Sequence, residues 1–184
     1  MDATAQHYAA ECRGQGTREA CLGAVLADTV PVMLSPGDKA PDFTLVDQDG
    51  NEFSLSDSLR ERKSWHLVYF YPKADTPGCT KQACGLNEIL GDIGDATVLG
   101  ISPDKPSKQA KFAEKYGLGF PLLSDPDHAT AEAFDVWKEK SMYGRTYMGI
   151  VRSAFLIDAD GTVAEAWYKI SPADTPKKLL AAIS

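Results

Sequence analysis

The chain has 184 residues, enough for one compact domain with a sizeable core plus a small extension, and its 43% hydrophobic and 24% charged composition is that of an ordinary globular protein. A formal net charge of −7 argues against a general nucleic-acid binder, which carries a basic face, and points to solubility or to docking on a basic partner. No apolar run approaches the roughly 18 residues of a membrane span, and residues 1–12 lack the basic n-region and following apolar h-region of a secretory signal, so a cytoplasmic protein is expected.

Residues 1–32 read as an N-terminal extension, partly helical and dispensable to the domain that follows. Within it Cys21, Leu22, Val25 and Leu26 are spaced as on a short amphipathic helix, which Val30-Pro31 ends because the residue before proline is driven out of the helical region. Residues 33–184 have the pattern of a mixed α/β domain. Residues 43–46 and 52–55 flank the turn Asp47-Gln48-Asp49-Gly50 as a hairpin, and Ser56 or Asp57 is placed to cap a short helix. Residues 66–71 are nearly continuously apolar, as in a strand buried on both faces.

Residues 72–78 then read as a loop, and a helix is expected over residues 80–93. Residues 97–101 form another buried strand, and residues 107–116 a helix stopped by Gly117. Pro121 predicts an edge strand over residues 120–123. Asp125-Pro126-Asp127-His128 reads as the turn that caps a helix over residues 129–134. Residues 152–157 and 162–167 make a second hairpin about Asp158-Ala159-Asp160-Gly161. Thr175 caps the last helix, with Pro176 at its first position and Leu179, Leu180 and Ile183 on its apolar face. Strands separated by helices, with a hairpin near each end, define an α/β fold: a mixed central β-sheet flanked by helices.

Of the four cysteines, Cys12, Cys21, Cys79 and Cys84, the last two carry the chemistry. In a chain of this size and expected location, paired cysteines are redox-active or metal-binding more often than structural. A buried strand delivers a proline-bounded loop, Pro72 to Gly78, and Cys79 stands where the next helix begins. Unpaired amides and the positive end of the helix dipole favour an anion there, and the thiolate is the reactive form of cysteine. The Thr76 hydroxyl, on the same loop, is in reach of the sulfur or of a substrate oxygen. Five residues of helix set the Cys79 and Cys84 Cα atoms about 8.6 Å apart, beyond the roughly 7 Å that a disulfide tolerates. The pair therefore either unwinds the helix to bridge or never bridges, and Gly85 eases such melting.

The spacing of Pro72, Thr76 and Cys79 matches the peroxiredoxin active-site signature, and Thr76-Pro77-Gly78-Cys79-Thr80-Lys81-Gln82-Ala83-Cys84 resembles the peroxiredoxin Q branch, also called bacterioferritin comigratory protein. The similarity extends to Gly37-Asp38-Lys39-Ala40-Pro41-Asp42-Phe43 and to Gly149-Ile150-Val151-Arg152-Ser153-Ala154-Phe155-Leu156-Ile157-Asp158, and so spans nearly all of residues 33–184. The resemblance implies a thioredoxin-like fold with Cys79 as the peroxidatic thiol. It also implies that Pro72 shields the site, that Thr76 holds peroxide and thiolate, and that Arg152 completes the pocket. The implied activity is a peroxidase acting on hydrogen peroxide and organic hydroperoxides. Cys79 passes through a sulfenic acid, Cys84 closes an intramolecular disulfide, and thioredoxin or a similar dithiol restores both thiols. The expected protein is a monomer or weak dimer that needs no cofactor and no metal.

Two other readings are available. A thioredoxin-type thiol–disulfide oxidoreductase normally carries Cys-x-x-Cys, which this chain lacks. A metal or sensor module built from Cys79 and Cys84 needs His66 or His128, neither of which has ligand spacing. Cys12 and Cys21 read as incidental thiols. Trp137, Tyr143 and Tyr147 either line the pocket entrance or serve ordinary packing.

Overall fold

A computed structural model describes residues 33–142 and 144–183. The readings of residues 1–32, of Cys12 and Cys21 and of Tyr143 lie outside the described residues. Among the described residues, seven strands form one sheet in the order β2-β1-β5-β4-β3-β8-β9. At its centre β3 (His66–Phe70) runs parallel to β4 (Thr97–Ser102), which runs parallel to β5 (Leu122–Ser124). The flanks are antiparallel: β8 (Ser153–Ile157) and β9 (Val163–Trp167) on one side, β1 (Thr44–Val46) and β2 (Glu52–Ser54) on the other. This is the mixed sheet expected, with both hairpins in place.

All five residues of β3 are buried, because helices cover both faces of the sheet. Leu67, Tyr69 and Tyr71 point to one side, into a core with Ala83 and Leu86 of α2 (Pro77–Glu88), Phe112 of α3 (Pro106–Tyr116) and Leu179 of α5 (Asp174–Ile183). Val68 and Phe70 point to the other, against Leu55 and Leu59 of α1 (Leu55–Arg62) and Ala131 of α4 (Ala129–Ala133). The alternating direction of strand side chains thus places the cysteine helix, α3 and the C-terminal helix in one layer.

Several local expectations are corrected. Ser54, not Ser56 or Asp57, caps α1: it is extended, and its hydroxyl accepts from the Asp57 amide at 3.3 Å. β5 lies inside the sheet, not at its edge. Pro121 stands just before the strand, where no N–H is required, and its carbonyl accepts the Gly100 amide at 3.0 Å. Helix α2 starts three residues earlier than expected, because Pro77 suits the first helical position and Thr76 is extended. It stops at Glu88, short of residue 93, in a run that includes Gly91 and Gly94, the latter at φ +59°. Thr175 is not the cap of α5. It is buried within the first turn, and the Ser171 hydroxyl accepts the Asp174 amide at 3.2 Å instead. The expected capping turn at Asp125 is present, its buried carboxylate accepting the Thr130 and Ala131 amides.

An additional hairpin was not expected: β6 (Trp137–Met142) and β7 (Arg145–Ile150) pair with each other outside the main sheet. The Val151 amide donates to the Val136 carbonyl at 2.8 Å and closes the hairpin's base just before Arg152.

His66 is buried in the central sheet. Its Nδ1 lies 3.0 Å from the Ser64 carbonyl, which only accepts, so Nδ1 carries the proton and Nε2 accepts from Ser58 Oγ at 2.8 Å. Burial lowers its pKa from 6.5, against the raising effect of the Ser64 bond. The unfolded chain therefore binds this proton first, and the stability gained from a neutral His66 is complete above pH 6.5 and lost as pH falls through the folded value. The urea midpoint is expected to drop between about pH 7 and pH 5, and less steeply in His66→Gln, as equilibrium unfolding at several pH values will show.

Candidate active site

The site is assembled where β3 ends. Tyr71 and Pro72 leave the strand, and the chain crosses residues 73–76 before α2 begins. Two elements that the sequence pattern does not connect to the site hold this loop. The Ala74 amide donates to Asp104 Oδ2 at 2.6 Å, and Asp104 also pairs with Lys108. Asp75 adopts φ +60°, and its carboxylate accepts from Lys115 Nζ at 2.9 Å and from the Tyr116 hydroxyl at 2.7 Å. The turn before α3 and the last turn of that helix thus pin the loop at two adjacent residues.

Thr76 is the N-cap residue of α2, yet its hydroxyl makes no capping bond; it donates to the Lys73 carbonyl at 3.0 Å. With its proton committed there, its oxygen is left as an acceptor. No hydrogen bond joins it to the Cys79 sulfur among the described residues. The helical ladder begins with the Thr80 amide on the Thr76 carbonyl at 2.8 Å, so the Gly78 and Cys79 amides are the orphan donors of the first turn.

Cys79 is 1% exposed and free. Arg152, in the residue before β8, donates through Nη2 to its sulfur at 3.3 Å and through Nη1 to Gln82 Oε1. A guanidinium and a helix N-terminus around one sulfur stabilise negative charge there. Gly78 eases the approach: a Cβ at this position would stand 3.2 Å from Arg152 Nη2, a tight contact. Beneath the sulfur the layer is neutral. Tyr69 and Tyr71 stack at 5.5 Å, burial raises both their pKa values, and Tyr71 donates to Gln109.

Gln82 lies one turn beyond Cys79 on the same helix face and is fully buried. Its Nε2 donates to Thr175 Oγ1 at 2.9 Å, and Thr175 donates to the Ser171 carbonyl at 3.1 Å. A second cation stands near Arg152: Lys140 of β6 donates to the Ile150 carbonyl. Burial and the Arg152 charge lower its pKa, while Cys79 raises it.

The structure therefore brings Cys79 and Arg152 together, with Pro72 and Thr76 on the adjoining loop. Cys84 stands apart, half-buried in the same unbroken helix and free, beside a pocket of about 400 Å³ that it shares with Lys81, Gly85, Pro172, Ala173 and Pro176. The two cysteines are thus unbridged in an intact helix, as helix geometry requires. The histidines considered as metal ligands are engaged elsewhere: His66 with Ser58 and Ser64, and His128 stacked on Trp137 at 3.7 Å. Trp137 accordingly packs on His128 and the α4 side of the sheet, whereas Tyr147 is exposed on β7. Gln82 was not singled out from the sequence, although its spacing of one turn from Cys79 is a signal for it; Asp75, Asp104 and Lys140 carried no local signal, and Thr175 carried only that of a cap.

The AhpC/TSA family model matches residues 36–166. Peroxiredoxin Bcp of Escherichia coli strain K12 is 56% identical over 132 residues, 71% of this chain and 83% of the relative. Peroxiredoxin Bcp of Bacillus subtilis strain 168 is 45% identical over 141 residues, 75% of this chain and 87% of the relative. Among solved structures, the bacterioferritin comigratory protein of Xanthomonas campestris, studied for alkyl peroxide reduction, superposes with a TM-score of 0.70 at 39% identity, covering 77% of this chain and 89% of that one. A cysteine-to-serine mutant of Xylella fastidiosa PrxQ gives a TM-score of 0.74 at 34% identity, covering 82% of this chain and 95% of that one.

The chain belongs to the AhpC/TSA family, and it is a thiol-dependent peroxidase with a thioredoxin-like fold. Its relatives place it in the Bcp, or peroxiredoxin Q, branch. No helix among the described residues is long and apolar enough to cross a membrane.

Two variants test the site's construction. Gly78→Ala is expected to displace Arg152 and lower the second-order rate of peroxide consumption by about tenfold or more, with the midpoint of thermal unfolding little changed. Asp75→Asn is expected to slow the same step by loosening the loop. Hydrogen bonds from Lys115 and Tyr116 lower the Asp75 pKa, and the Asp75 bond raises that of Lys115. The tether is therefore lost only as pH falls through the lowered carboxylate value or rises through the raised lysine value. The wild-type to Asp75→Asn rate ratio should be constant between about pH 5 and pH 9 in stopped-flow assays.

Proposed function

We propose that Cys79 is the peroxidatic thiol, that Cys84 resolves it, and that Pro72, Thr76 and Arg152 form the peroxide pocket. The observation that carries this reading is the Arg152 guanidinium 3.3 Å from the sulfur of a cysteine in the first turn of α2. In the first step the Cys79 thiolate attacks the terminal oxygen of the hydroperoxide. The sulfur supplies the electron pair, the O–O bond breaks, and the leaving oxygen takes up a proton to depart as an alcohol or as water. The sulfur keeps the hydroxyl as a sulfenic acid.

Thr76 Oγ1 suits the acceptor role toward the peroxide hydroxyl, because its own proton is given to Lys73. Arg152 suits the donor role toward the charge that develops as the O–O bond opens, the preorganised stabilisation that dominates such steps. In the second step the Cys84 sulfur attacks the sulfenic sulfur, water leaves, and a disulfide forms. Because the cysteines share one helix, this step requires the stretch between them to unwind. A dithiol reductant of the thioredoxin type then takes the disulfide back to two thiols. Substrates of this chemistry are hydrogen peroxide and organic hydroperoxides; the relative from Xanthomonas campestris supports the alkyl class.

Resolution within one chain needs no partner subunit, which fits a monomer or weak dimer in the cytoplasm. Residues 1–32 lie ahead of the family match at residues 36–166, which supports a dispensable extension followed by the catalytic domain over residues 33–184. Peroxide loss coupled to thioredoxin and its reductase tests the assignment. Cys79→Ser should show no turnover, and Cys84→Ser a single oxidation without efficient recycling. Wild-type turnover by Cys79→Ser would overturn it.

A further inference from the structure

Gln82 occupies an unusual place: it lies between the two cysteines in sequence, is fully buried, and has both ends of its amide in use. The donors run in one direction, from Arg152 to Gln82, from Gln82 to Thr175, and from Thr175 to the Ser171 carbonyl. Thr175 is also fully buried, in the first turn of α5. One residue after Cys84, α2 meets that same turn: a Cβ on Gly85 would stand 3.0 Å from Pro176 Cγ. The turn therefore grips α2 twice, by a buried hydrogen bond at Gln82 and by close packing at Gly85, on either side of Cys84.

For Cys84 to reach Cys79, the backbone between them must leave helical dihedrals, and Gln82 is in the middle of that stretch. We propose that Thr175, acting through Gln82, is a positioning residue that clamps α2 in its helical form and so sets how fast Cys84 reaches the oxidised Cys79. The inference rests on the roles proposed above for the two cysteines. Its logic is that of a buried hydrogen bond present in only one of two states. In the helical state Gln82 has both partners; in the unwound state its amide reaches water. Removing the Thr175 hydroxyl leaves a buried amide donor unpaired in the helical state alone, which tilts the balance toward unwinding by about tenfold.

The clamp also governs a competition. While α2 is helical, a Cys79 sulfenic acid remains in the pocket that activates peroxide, where a second peroxide molecule oxidises it to sulfinic acid with release of water or alcohol. Unwinding withdraws Gln82 from Arg152 and opens the route to Cys84. A tight clamp therefore favours over-oxidation at high peroxide, and a loose one favours the disulfide.

The test uses the full chain as wild type, Thr175→Val, Thr175→Ser and Thr175→Ala. Each reduced protein is mixed with one equivalent of hydrogen peroxide, quenched with a thiol-alkylating reagent, and the disulfide is followed by intact mass. In parallel, the peroxide concentration that over-oxidises half of the enzyme during turnover is measured. Thr175→Val should form the disulfide about tenfold faster and need correspondingly more peroxide for half over-oxidation. Thr175→Ser keeps the hydroxyl and should match wild type. Thr175→Ala, which removes the same hydroxyl with a smaller side chain, should shift both readouts as Thr175→Val does and serves if that variant does not fold. Unchanged or slower disulfide formation in Thr175→Val overturns the clamp. Absence of any Cys79–Cys84 disulfide in wild type overturns instead the roles on which the clamp rests.

Discussion

The contact between the Arg152 guanidinium and the Cys79 sulfur is the point to which the rest of the site is fitted. It joins the residue before β8 to the first turn of α2, two segments 73 residues apart in sequence, and it sets a half-buried cation against a sulfur that is 1% exposed, where unpaired charge is costly. Three features make it tolerable. Gly78 omits a Cβ that would press on the guanidinium at 3.2 Å, Gln82 offers a neutral acceptor to its other nitrogen, and the sulfur itself accepts. A carboxylate in the place of Gln82 would neutralise the arginine more fully, and so weaken the field it exerts on the sulfur.

Around that contact two segments are held in different ways. The loop ahead of Cys79 is tied to α3 through Asp75 and Asp104, so the Thr76 oxygen and the first-turn amides keep fixed positions. The helix after Cys79 is held more selectively, through Gln82 to Thr175 and through the close packing at Gly85. The proposed two-step cycle needs both properties. The first step depends on preorganised dipoles, and the second depends on a helix able to let go.

Much of this was legible from residue pattern alone. The continuous apolar run of β3 announced a strand covered on both faces, and the turn chemistry of residues 47–50 and 158–161 located both hairpins. Cys79 was placed by the strand, loop and helix start around it, and Arg152 by its position in the block that resembles the family. Other elements were misread for definite reasons. Pro121 argued for an edge strand, but it stands just outside an interior one. The β6–β7 hairpin escaped notice because Lys138, Glu139, Lys140 and Ser141 give no apolar alternation; its hold comes from Trp137 packing and from the link between Val136 and Val151. Thr175 followed by proline looked like a cap, whereas burial gave its hydroxyl a different use.

By itself the sequence determined where the two cysteines stand relative to a helix start and how far apart that helix holds them, because backbone period and residue chemistry are local properties. Five residues of helix keep Cys84 from Cys79 wherever that helix is placed. Only the tertiary structure decided what surrounds them. Arg152, Gln82, Thr175, Asp75 and Lys140 come from separate elements, and their meeting depends on strand order and on the layer in which each helix lies. Long-range hydrogen bonds between side chains leave no periodic trace in a chain, so they become visible only once the sheet has brought its helices together.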